Sequence, residues 1–425
     1  MIAWERAVDR SKYGQYSAHS REMSFEIPIR MPTASRRYDI DALRVLAFGL
    51  LVLYHVGLVY VADWDYHIKS VHRAEWLEVP MTLLNRWRMP LLFLLSGIAL
   101  GLARPWSTPW RAFGQRSRRL LLPLVVGMLL VVPVQPYIEA LRGGHVPPGY
   151  LDFLALYFGG HPWPEDAFGG SAYGITWNHL WFLPYAWLYG ALALAVAFVW
   201  RSRVGHAAVA AVHRMPLPVL WLGLALPAAL AMNLLADAWP DRKDFFPDLY
   251  NHAHYGAVFL FGLLLGSGEG AWATLRRARW WSLGAAVAFA LAYFPWLFAV
   301  DDRLLPWEVW SLRSLRASYM AAVLLALLGW ARHALDRPWP GLAYANEAVL
   351  PWYVFHQSLI VPLAWWAGEQ GFGPLADVTV VLGGTVLGCL LLHEFAVRRW
   401  APMRWVFGLP AYSPAMYGNR VDRIV

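Results

Sequence analysis

The chain has 425 residues, of which 58% are hydrophobic and only 15% are charged, and its mean hydropathy is +0.38. A soluble domain is nearer half apolar and a quarter charged, so this composition excludes an ordinary soluble protein and predicts an all-α, polytopic transmembrane bundle. The net charge of +8 comes almost entirely from arginines between apolar runs, so it does not indicate a nucleic acid partner. The one cysteine, Cys389, excludes an intrachain disulfide and a cysteine metal cluster.

The first 37 residues are polar, mixed in charge and without an apolar core, which is unlike a signal peptide. We interpret residues 1–37 as a disordered cytoplasmic tail. The other interpretation is an over-extended start, with the natural one at Met23 or Met31 instead of Met1. The apolar part of the chain predicts one transmembrane domain at 38–400, followed by a cytoplasmic tail at 401–425.

Apolar runs of the length that crosses a hydrocarbon layer of ~30 Å recur through this domain. They predict ten spans, at 42–61, 80–102, 120–140, 179–200, 217–236, 253–267, 281–299, 315–333, 346–367 and 376–396. The run at 253–267 is short for a span. No repeat of 20–50 residues is present, which excludes a solenoid.

The charge of the loops predicts how the spans are oriented. Segments rich in arginine are 103–119, 201–216, 268–280 and the C-terminal segment. The alternate loops are acidic or mixed in charge. Because cytoplasmic loops carry the excess of positive charge, this alternation predicts that both termini are cytoplasmic and agrees with a count of ten.

The first span carries ionisable residues within its apolar run. Asp41 and Arg44 lie at its entrance and His55 lies well inside it. Such groups are costly in a membrane and usually face a protein interior or a wet cavity. Arg44 and His55 are 11 residues apart, which is roughly 16 Å along a helix with an angular offset of about 20°, so both are expected on one face.

At the predicted orientation, at least five spans bring a polar or basic group to a similar outer depth. Beside His55, these groups are Arg86, Arg88, Asn178, His179, His252, His254, His356 and Gln357. Any one of these histidines, taken alone, would be interpreted as a residue that forms a structural hydrogen bond. Structural residues, however, would be scattered in depth. The shared level therefore predicts one pocket. The long outer loop, 141–178, is rich in glycine, proline and aromatic residues and suits a carbohydrate or lipid headgroups equally.

A second basic cluster lies on the predicted inner surface. Arg116 and Arg119 are three residues apart at the start of the third span, so we expect them to point the same way. Further arginines nearby are Arg44, Arg111 and Arg118. Guanidinium pairs bidentately with phosphate, so the cluster can hold a polyanion; positive-inside topology and lipid headgroups explain the same arginines.

Two sites at two surfaces suggest a reaction across the membrane. An anionic donor would be held inside and an acceptor outside, with His55 between them. A histidine can take the proton from an attacking hydroxyl because its ordinary pKa, ~6.5, is near operating pH.

These residues resemble the acyltransferase 3 family of integral membrane acyltransferases over about 38–400. That family's first-span motif stands here as Asp41-Ala-Leu-Arg44 with His55 following, and its Arg-x-x-Arg at the head of the third span stands as Arg116-Ser-Arg-Arg119. The segments that most resemble the subgroup with the glucan-modifying succinyltransferase of osmoregulated periplasmic glucan synthesis are 88–97, 179–185 and 346–357.

The resemblance implies an acyl-CoA donor on the cytoplasmic side and a carbohydrate hydroxyl, such as that of a periplasmic glucan, on the other side of a bacterial inner membrane. It implies that His55 is catalytic, with Arg44 and Asp41 at the same span. The donor-binding residues that it implies are Arg116, Arg119 and the neighbouring Arg118. Succinyl is the expected acyl group and acetyl the alternative. No tightly bound cofactor and no metal is expected, and the oligomeric state stays open.

The outer pocket is expected to hold the acceptor or the acyl group, with Arg88 as a candidate for succinate's distal carboxylate. We favour His55 as a general base over a transient acyl carrier. Two other classes fit part of the pattern: a transporter or flippase for an anionic lipid or sugar, and a b-type haem electron carrier using His55, His179 and His356. The halves of the chain show no repeat and the polar groups lie outside the midplane, which favours the acyltransferase.

Overall fold

The computed structural model describes residues 36–299 and 304–409, and within these ranges the chain is helical, with one isolated β-bridge between Val61 and Ala74. The α-helices, in chain order, are α1 Tyr38–Tyr60, α2 Glu78–Ala103, α3 Pro109–Leu130, α4 Val134–Arg142, α5 Tyr150–Phe158, α6 Phe182–Ala195, α7 Ala197–Arg201, α8 Arg203–Arg214, α9 Leu217–Leu235, α10 Leu249–Gly266, α11 Gly270–Arg277, α12 Arg279–Ala299, α13 Pro306–Ala334, α14 Leu342–Glu369, α15 Pro374–Leu391 and α16 Ala401–Val406. A π-helical turn, Leu392–Val397, follows α15 directly.

The predicted all-α membrane fold is confirmed. Each of the ten predicted apolar segments overlaps a helix. In the described part of the chain, seven helical segments are long and apolar enough to cross a membrane, and the number is eight if α10 and α11, which are bent by 105° at their junction, form one broken span. The count of ten spans and the cytoplasmic termini stay predictions.

The directions of α1 and α14 fit the predicted alternation. Arg44 of α1 contacts Asn346 near the start of α14, and His55 near the end of α1 contacts His356 further along α14. The two helices are therefore parallel. In a bundle whose spans alternate in direction, the first and the ninth span must run the same way, as these two helices do.

The predicted N-terminal tail lies outside the described residues as far as residue 35, and so does the predicted C-terminal tail from residue 410 onward. Arg37 and Asp39 at the start of α1 are both buried and form a bidentate pair at 2.9 and 2.7 Å. The Arg37 guanidinium carbon also lies 3.9 Å from the centroid of a Trp272 ring. These contacts attach the start of α1 to α11.

Helices α2 and α10 pack backbone to backbone through glycines spaced four residues apart. A Cβ at Gly97 would lie 2.0 Å from the carbonyl oxygen of Phe259, and a Cβ at Gly262 would lie 2.3 Å from that of Leu94. The other two glycines of this contact are Gly101 and Gly266. Small residues let helices approach closely in a membrane, where lipid tails provide no hydrophobic force between them. The contact fixes α2, whose N-terminal half lines the site described below.

The long outer loop folds around buried aromatic side chains. Phe153 and Tyr157 of α5 are each 1% exposed, and the rings of Trp163 and Phe168 pack against them. The Thr176 amide donates to Tyr157 Oη at 2.9 Å, and burial raises the pKa of this phenol to about 12. The cluster holds the segment that follows it, residues 169–179, against the bundle.

Gly97→Ala is expected to destabilise the protein, because the added methyl group meets the backbone of α10 and not a movable side chain. Overpacking of this kind costs about 1–3 kcal/mol, which thermal unfolding of the purified protein in detergent would show as a lower Tm. Gly49→Ala on α1 is the matched control, since a Cβ there meets nothing within 4 Å and alanine favours the helix. An equal loss in both variants would contradict the packing argument.

Candidate active site

A cavity of about 780 Å³ lies among α1, α2, α13, α14 and the outer loops. A volume of this size accommodates a small-molecule substrate. Its lining includes the polar side chains of His55, His67, Arg86, Arg88, His179 and Gln357. Four of the predicted spans whose polar groups were expected at one depth therefore meet at this cavity.

His55 lies in the cavity wall and contacts His356 of α14 behind it. His55 Nδ1 and His356 Nε2 are 2.9 Å apart. His356 Nδ1 lies 3.0 Å from the carbonyl oxygen of Trp352 and 2.9 Å from that of Tyr353, one turn earlier in the same helix. His356 is fully buried, whereas His55 is partly accessible.

These contacts determine where the ring protons lie. A carbonyl oxygen can only accept a hydrogen bond, so His356 carries its proton on Nδ1 and, as a neutral imidazole, accepts at Nε2. His55 must then donate from Nδ1, which leaves a lone pair on its own Nε2. His55 Nε2 is the free base of the pair. His356, expected in the acyl or acceptor pocket, instead lies behind His55 and positions it.

His179 packs against the same pair. Its ring centroid lies 5.0 Å from that of His356. His179 Nε2 donates to the Val354 carbonyl oxygen at 3.2 Å, and its Nδ1 accepts from Gln135 Nε2 at 3.3 Å. Gln135 is fully buried and also donates to Ser358 Oγ at 2.6 Å. Both ring nitrogens of His179 are engaged, so His179 shapes the cavity and offers no free base.

A second histidine network joins the outer loops to α14. His67, in the loop after α1, lies with Nδ1 2.6 Å from Glu139 Oε2 and with Nε2 2.7 Å from Gln357 Nε2. An amide nitrogen donates, so His67 accepts at Nε2 and donates from Nδ1 to the carboxylate. Gln357 Nε2 also donates to Gln135 Oε1 at 3.1 Å, and Glu139 Oε1 accepts from the Gly169 amide at 3.0 Å. Depth within predicted spans cannot identify His67, because it lies in a loop.

Arg86 and Arg88 of α2 both line the cavity, but His254 of α10 lies behind its wall. Arg88 is 7% exposed, and its guanidinium carbon lies 3.5 Å from the centroid of the Tyr54 ring, a cation–π contact. His254 is 2% exposed and its ring packs against that of Tyr255. His254, like His356, was predicted for this pocket but does not line the cavity.

Arg44, Asp41 and Asn346 form a polar cluster near the other end of α1. Arg44 Nη1 donates to Asn346 Oδ1 at 3.1 Å and to Asp41 Oδ1 at 3.4 Å, and Asn346 Nδ2 donates to Asp41 Oδ1 at 3.2 Å. The Arg44 and Asp41 side chains are 23% and 16% exposed. Asn346 begins one of the segments that resemble the family, residues 346–357. Its contacts with Arg44 and Asp41 depend on how α14 packs against α1. Arg44 lies about three helical turns from His55, so its cluster is separate from the cavity at His55.

Arg116 turns into the bundle. Its Nη2 donates to the Ala186 carbonyl oxygen at 2.6 Å and to Ser96 Oγ at 3.0 Å. The side chain crosses Gly190 of α6, where a Cβ would lie only 2.0 Å from Arg116 Nε. These partners hold α3 against α6, so Arg116 has a packing role at this position.

Arg118 and Arg119, by contrast, are exposed. The charge of Arg119 acts on both Arg44 and Arg116, which places it beside the cluster near the entrance of α1. The spacing of Arg116 and Arg119 predicts one shared direction, but the acceptors on α2 and α6 draw Arg116 into the bundle. Arg111, Arg118 and Arg119 of α3 are exposed, and Arg44 is partly accessible.

The histidines at the cavity are not arranged as ligands. Among the described residues, no group of three or more His, Cys, Asp or Glu side chains could hold a metal ion. For haem, two imidazole nitrogens would have to point at one iron from opposite faces, but His55 and His356 point at each other across a hydrogen bond.

The helical fold and this centre define a multi-pass membrane protein that holds an imidazole with a free lone pair in a cavity lined by basic residues. Comparison with protein families matches residues 37–394 to the acyltransferase 3 family, described as an acyltransferase domain. The chain belongs to this family and is a membrane acyltransferase. No curated protein and no solved structure matches it.

Diethyl pyrocarbonate modifies accessible imidazole nitrogens that carry a free lone pair, so it tests the assigned ring protons. We expect His55 to be modified through Nε2 and His356 and His179 to stay unmodified, because their nitrogens are buried in hydrogen bonds. Peptide mass spectrometry after brief exposure of the folded protein measures the three, with exposed His161 as the positive control. Equal modification of His55 and His356 would contradict the assignment.

Proposed function

We propose that the protein is an O-acyltransferase that moves an acyl group from cytoplasmic acyl-CoA to a hydroxyl of an extracytoplasmic carbohydrate, such as a periplasmic glucan, at a bacterial inner membrane. Succinyl is the acyl group that we favour, and acetyl is the alternative. Family membership supports acyl transfer. The mechanism rests on the hydrogen bonding of His55. This residue lines the cavity, its Nδ1 donates to His356, and its Nε2 has no partner among the described residues.

His55 acts in this proposal as the general base. An acceptor hydroxyl gives its proton to His55 Nε2 while its oxygen attacks the carbonyl carbon of the thioester. The carbon–sulfur bond then breaks, and the CoA sulfur takes the proton from His55. The products are an ester and free CoA, and His55 is neutral again. While His55 is cationic, its hydrogen bond from Nδ1 to His356 becomes charge-assisted and therefore stronger.

The carbonyl oxygen becomes negative when the hydroxyl attacks, and it needs a donor in the cavity. His179 and His356 each donate their one ring proton to a backbone carbonyl. The guanidinium of Arg88, which faces Tyr54, is one of the donors that remain in the cavity lining. We therefore assign the charge-stabilising role to one of the guanidinium groups of this cavity and not to the two histidines.

The donor's phosphates are assigned to the exposed arginines near the entrance of α1. Arg118 and Arg119 offer guanidinium groups suited to phosphate. Arg44 is held by Asp41 and Asn346, and the charge of Arg119 reaches it. Arg116 supports this face by fixing α3 against α6 and is not assigned a direct phosphate contact.

The acceptor is assigned to the part of the cavity formed by the outer loops. Tyr173, Trp177 and Phe246 line it together with the carboxylates of Asp241 and Asp244. Aromatic faces beside a few placed polar groups suit a sugar ring, whose faces are apolar and whose edge carries hydroxyls. The length of the loop and its position at the cavity support a role beyond that of a connection.

A transporter or flippase for an anionic lipid or sugar is the second candidate, and the basic lining of the cavity is the observation that favours it. A transporter binds its cargo without breaking an acyl bond. The two candidates therefore differ in whether the protein consumes an acyl-CoA.

His55→Ala is expected to bind acyl-CoA as the intact protein does but to lose turnover by about 10²–10⁴-fold, the usual contribution of a general base. The measurement is CoA release from succinyl-CoA and acetyl-CoA by purified protein with a glucan oligosaccharide as acceptor. His356→Gln, which keeps an acceptor for His55 Nδ1, should retain more activity than His356→Phe. Full turnover by His55→Ala would exclude His55 as the base.

The double variant Arg118→Ala, Arg119→Ala is expected to bind either CoA ester about tenfold more weakly, because charge-assisted hydrogen bonds to phosphate are lost. Equilibrium binding measures this directly. Arg277→Ala, which removes an exposed arginine from α11, is the matched control. If the intact protein binds neither CoA ester, the proposed donor is wrong and the transporter becomes the better candidate.

A further inference from the structure

Three guanidinium groups line the same cavity as His55. Arg86 and Arg88 come from α2, and Arg316 comes from α13, where no sequence pattern had drawn attention to it. None of the three forms a salt bridge with a carboxylate in residues 36–299 or 304–409. Together Arg86, Arg88 and Arg316 form an arginine wall of the cavity.

The arginine wall contains buried nitrogen atoms that lack a hydrogen-bond acceptor in the described part of the chain. These atoms are Nε and Nη1 of Arg88 and Nε of both Arg86 and Arg316. Arg88 is more than nine-tenths buried, at 7% exposure. A guanidinium group stays charged and has five N–H donors, and leaving such donors unpaired in a protein interior is costly. The Tyr54 ring beneath Arg88 attracts the cation but does not accept these in-plane bonds.

The cavity as a whole carries an excess of positive charge. Its described lining contains five cationic side chains and two carboxylates: Arg86, Arg88, Arg242, Lys243, Arg316, Asp241 and Asp244. Asp241 is already engaged, because it pairs with Lys243 at 3.3 Å and accepts from Asn251 Nδ2 at 2.8 Å. The two carboxylates of the lining therefore offset only part of the charge of its five cations.

Arg313 shows what a structural arginine looks like on the same helix. It lies three residues before Arg316 and forms a bidentate pair with Asp237, one bond of which measures 3.0 Å. Hydrogen bonding to Arg313 holds the pKa of the Asp237 carboxyl below its usual value. Arg313 forms a salt bridge with a carboxylate, whereas Arg316 forms none among the described residues.

We propose that the arginine wall binds a carboxylate carried by a substrate, and that this carboxylate is the far end of a dicarboxylic acyl group on the donor. The source of the carboxylate rests on the proposed acyl transfer. Arg88 lies over Tyr54 and lines the same cavity as His55, so a group held by Arg88 and a carbonyl at His55 occupy one cavity. A short methylene chain, as in a succinyl group, connects the two positions. An acidic sugar of the acceptor is the other source of the same chemistry.

The first test measures binding without turnover. The probe is monomethyl succinate, which carries the carboxylate and an ester in place of the thioester, and the readout is ligand-induced stabilisation of the purified full chain. We expect Arg88→Gln and Arg316→Gln each to weaken binding at least about tenfold, with Arg88→Lys intermediate. Arg313→Gln is the matched control and should bind as the intact protein does. Unchanged binding in folded Arg88→Gln and Arg316→Gln overturns the proposal.

The second test identifies the source of the carboxylate through CoA release by the same variants. With a neutral glucose oligosaccharide as acceptor, Arg316→Gln should lose succinyl transfer at least about tenfold more than acetyl transfer. Equal losses for both donors overturn the assignment to the acyl group. A loss confined to an oligoglucuronide acceptor overturns it too and assigns the carboxylate to the acceptor. If monomethyl succinate binds but neither CoA ester is consumed, the carboxylate site is supported and the proposed function fails.

Discussion

A polar side chain inside a membrane needs a partner from the protein, because there is no water to supply one. In this structure α14 supplies the partners for α1. Asn346 pairs with Arg44 and His356 pairs with His55, and the two contacts are 11 residues apart on α1 and 10 residues apart on α14. Both separations correspond to roughly 15–16 Å, so two parallel helices are held in register at two points. Sliding or rotation of α1 would break both contacts together.

The contact at His55 has a chemical consequence, because carbonyl groups of α14 itself determine which ring nitrogen of His356 carries the proton. The carbonyl oxygens that accept from His356 Nδ1 belong to the preceding turn of its own helix. The orientation of the base therefore depends on the continuity of α14 and not on a distant loop. The outer loop joins this arrangement indirectly, through Glu139, His67 and Gln357, which connect it to the same helix. These contacts link the outer loop to the helix that orients His55.

Much of the architecture could be predicted from the sequence, because hydrophobic length alone marks helices in a membrane protein. His55, His179 and Gln357 were expected to share a level, and all three line one cavity. The rotation of each helix about its axis could not be predicted, because it depends on packing. His254 was expected at the same level, but its ring packs against Tyr255, behind the cavity wall. The same reason explains why the spacing of Arg116 and Arg119 did not reveal that Gly190 gives Arg116 a path into the bundle.

The excess of positive charge in the cavity bears on the base itself. In the proposed mechanism His55 becomes a cation when it takes a proton, in a cavity whose lining already carries five cations and two carboxylates. A bound carboxylate neutralises part of the arginine wall and so lowers the electrostatic cost of the charged intermediate, which in a low-dielectric site is larger than in water. An acyl group without a carboxylate leaves the cost in place. On this argument the charge of the acyl group affects the chemical step as well as binding. The residues that make the cavity basic would then also determine the selectivity between succinyl and acetyl donors.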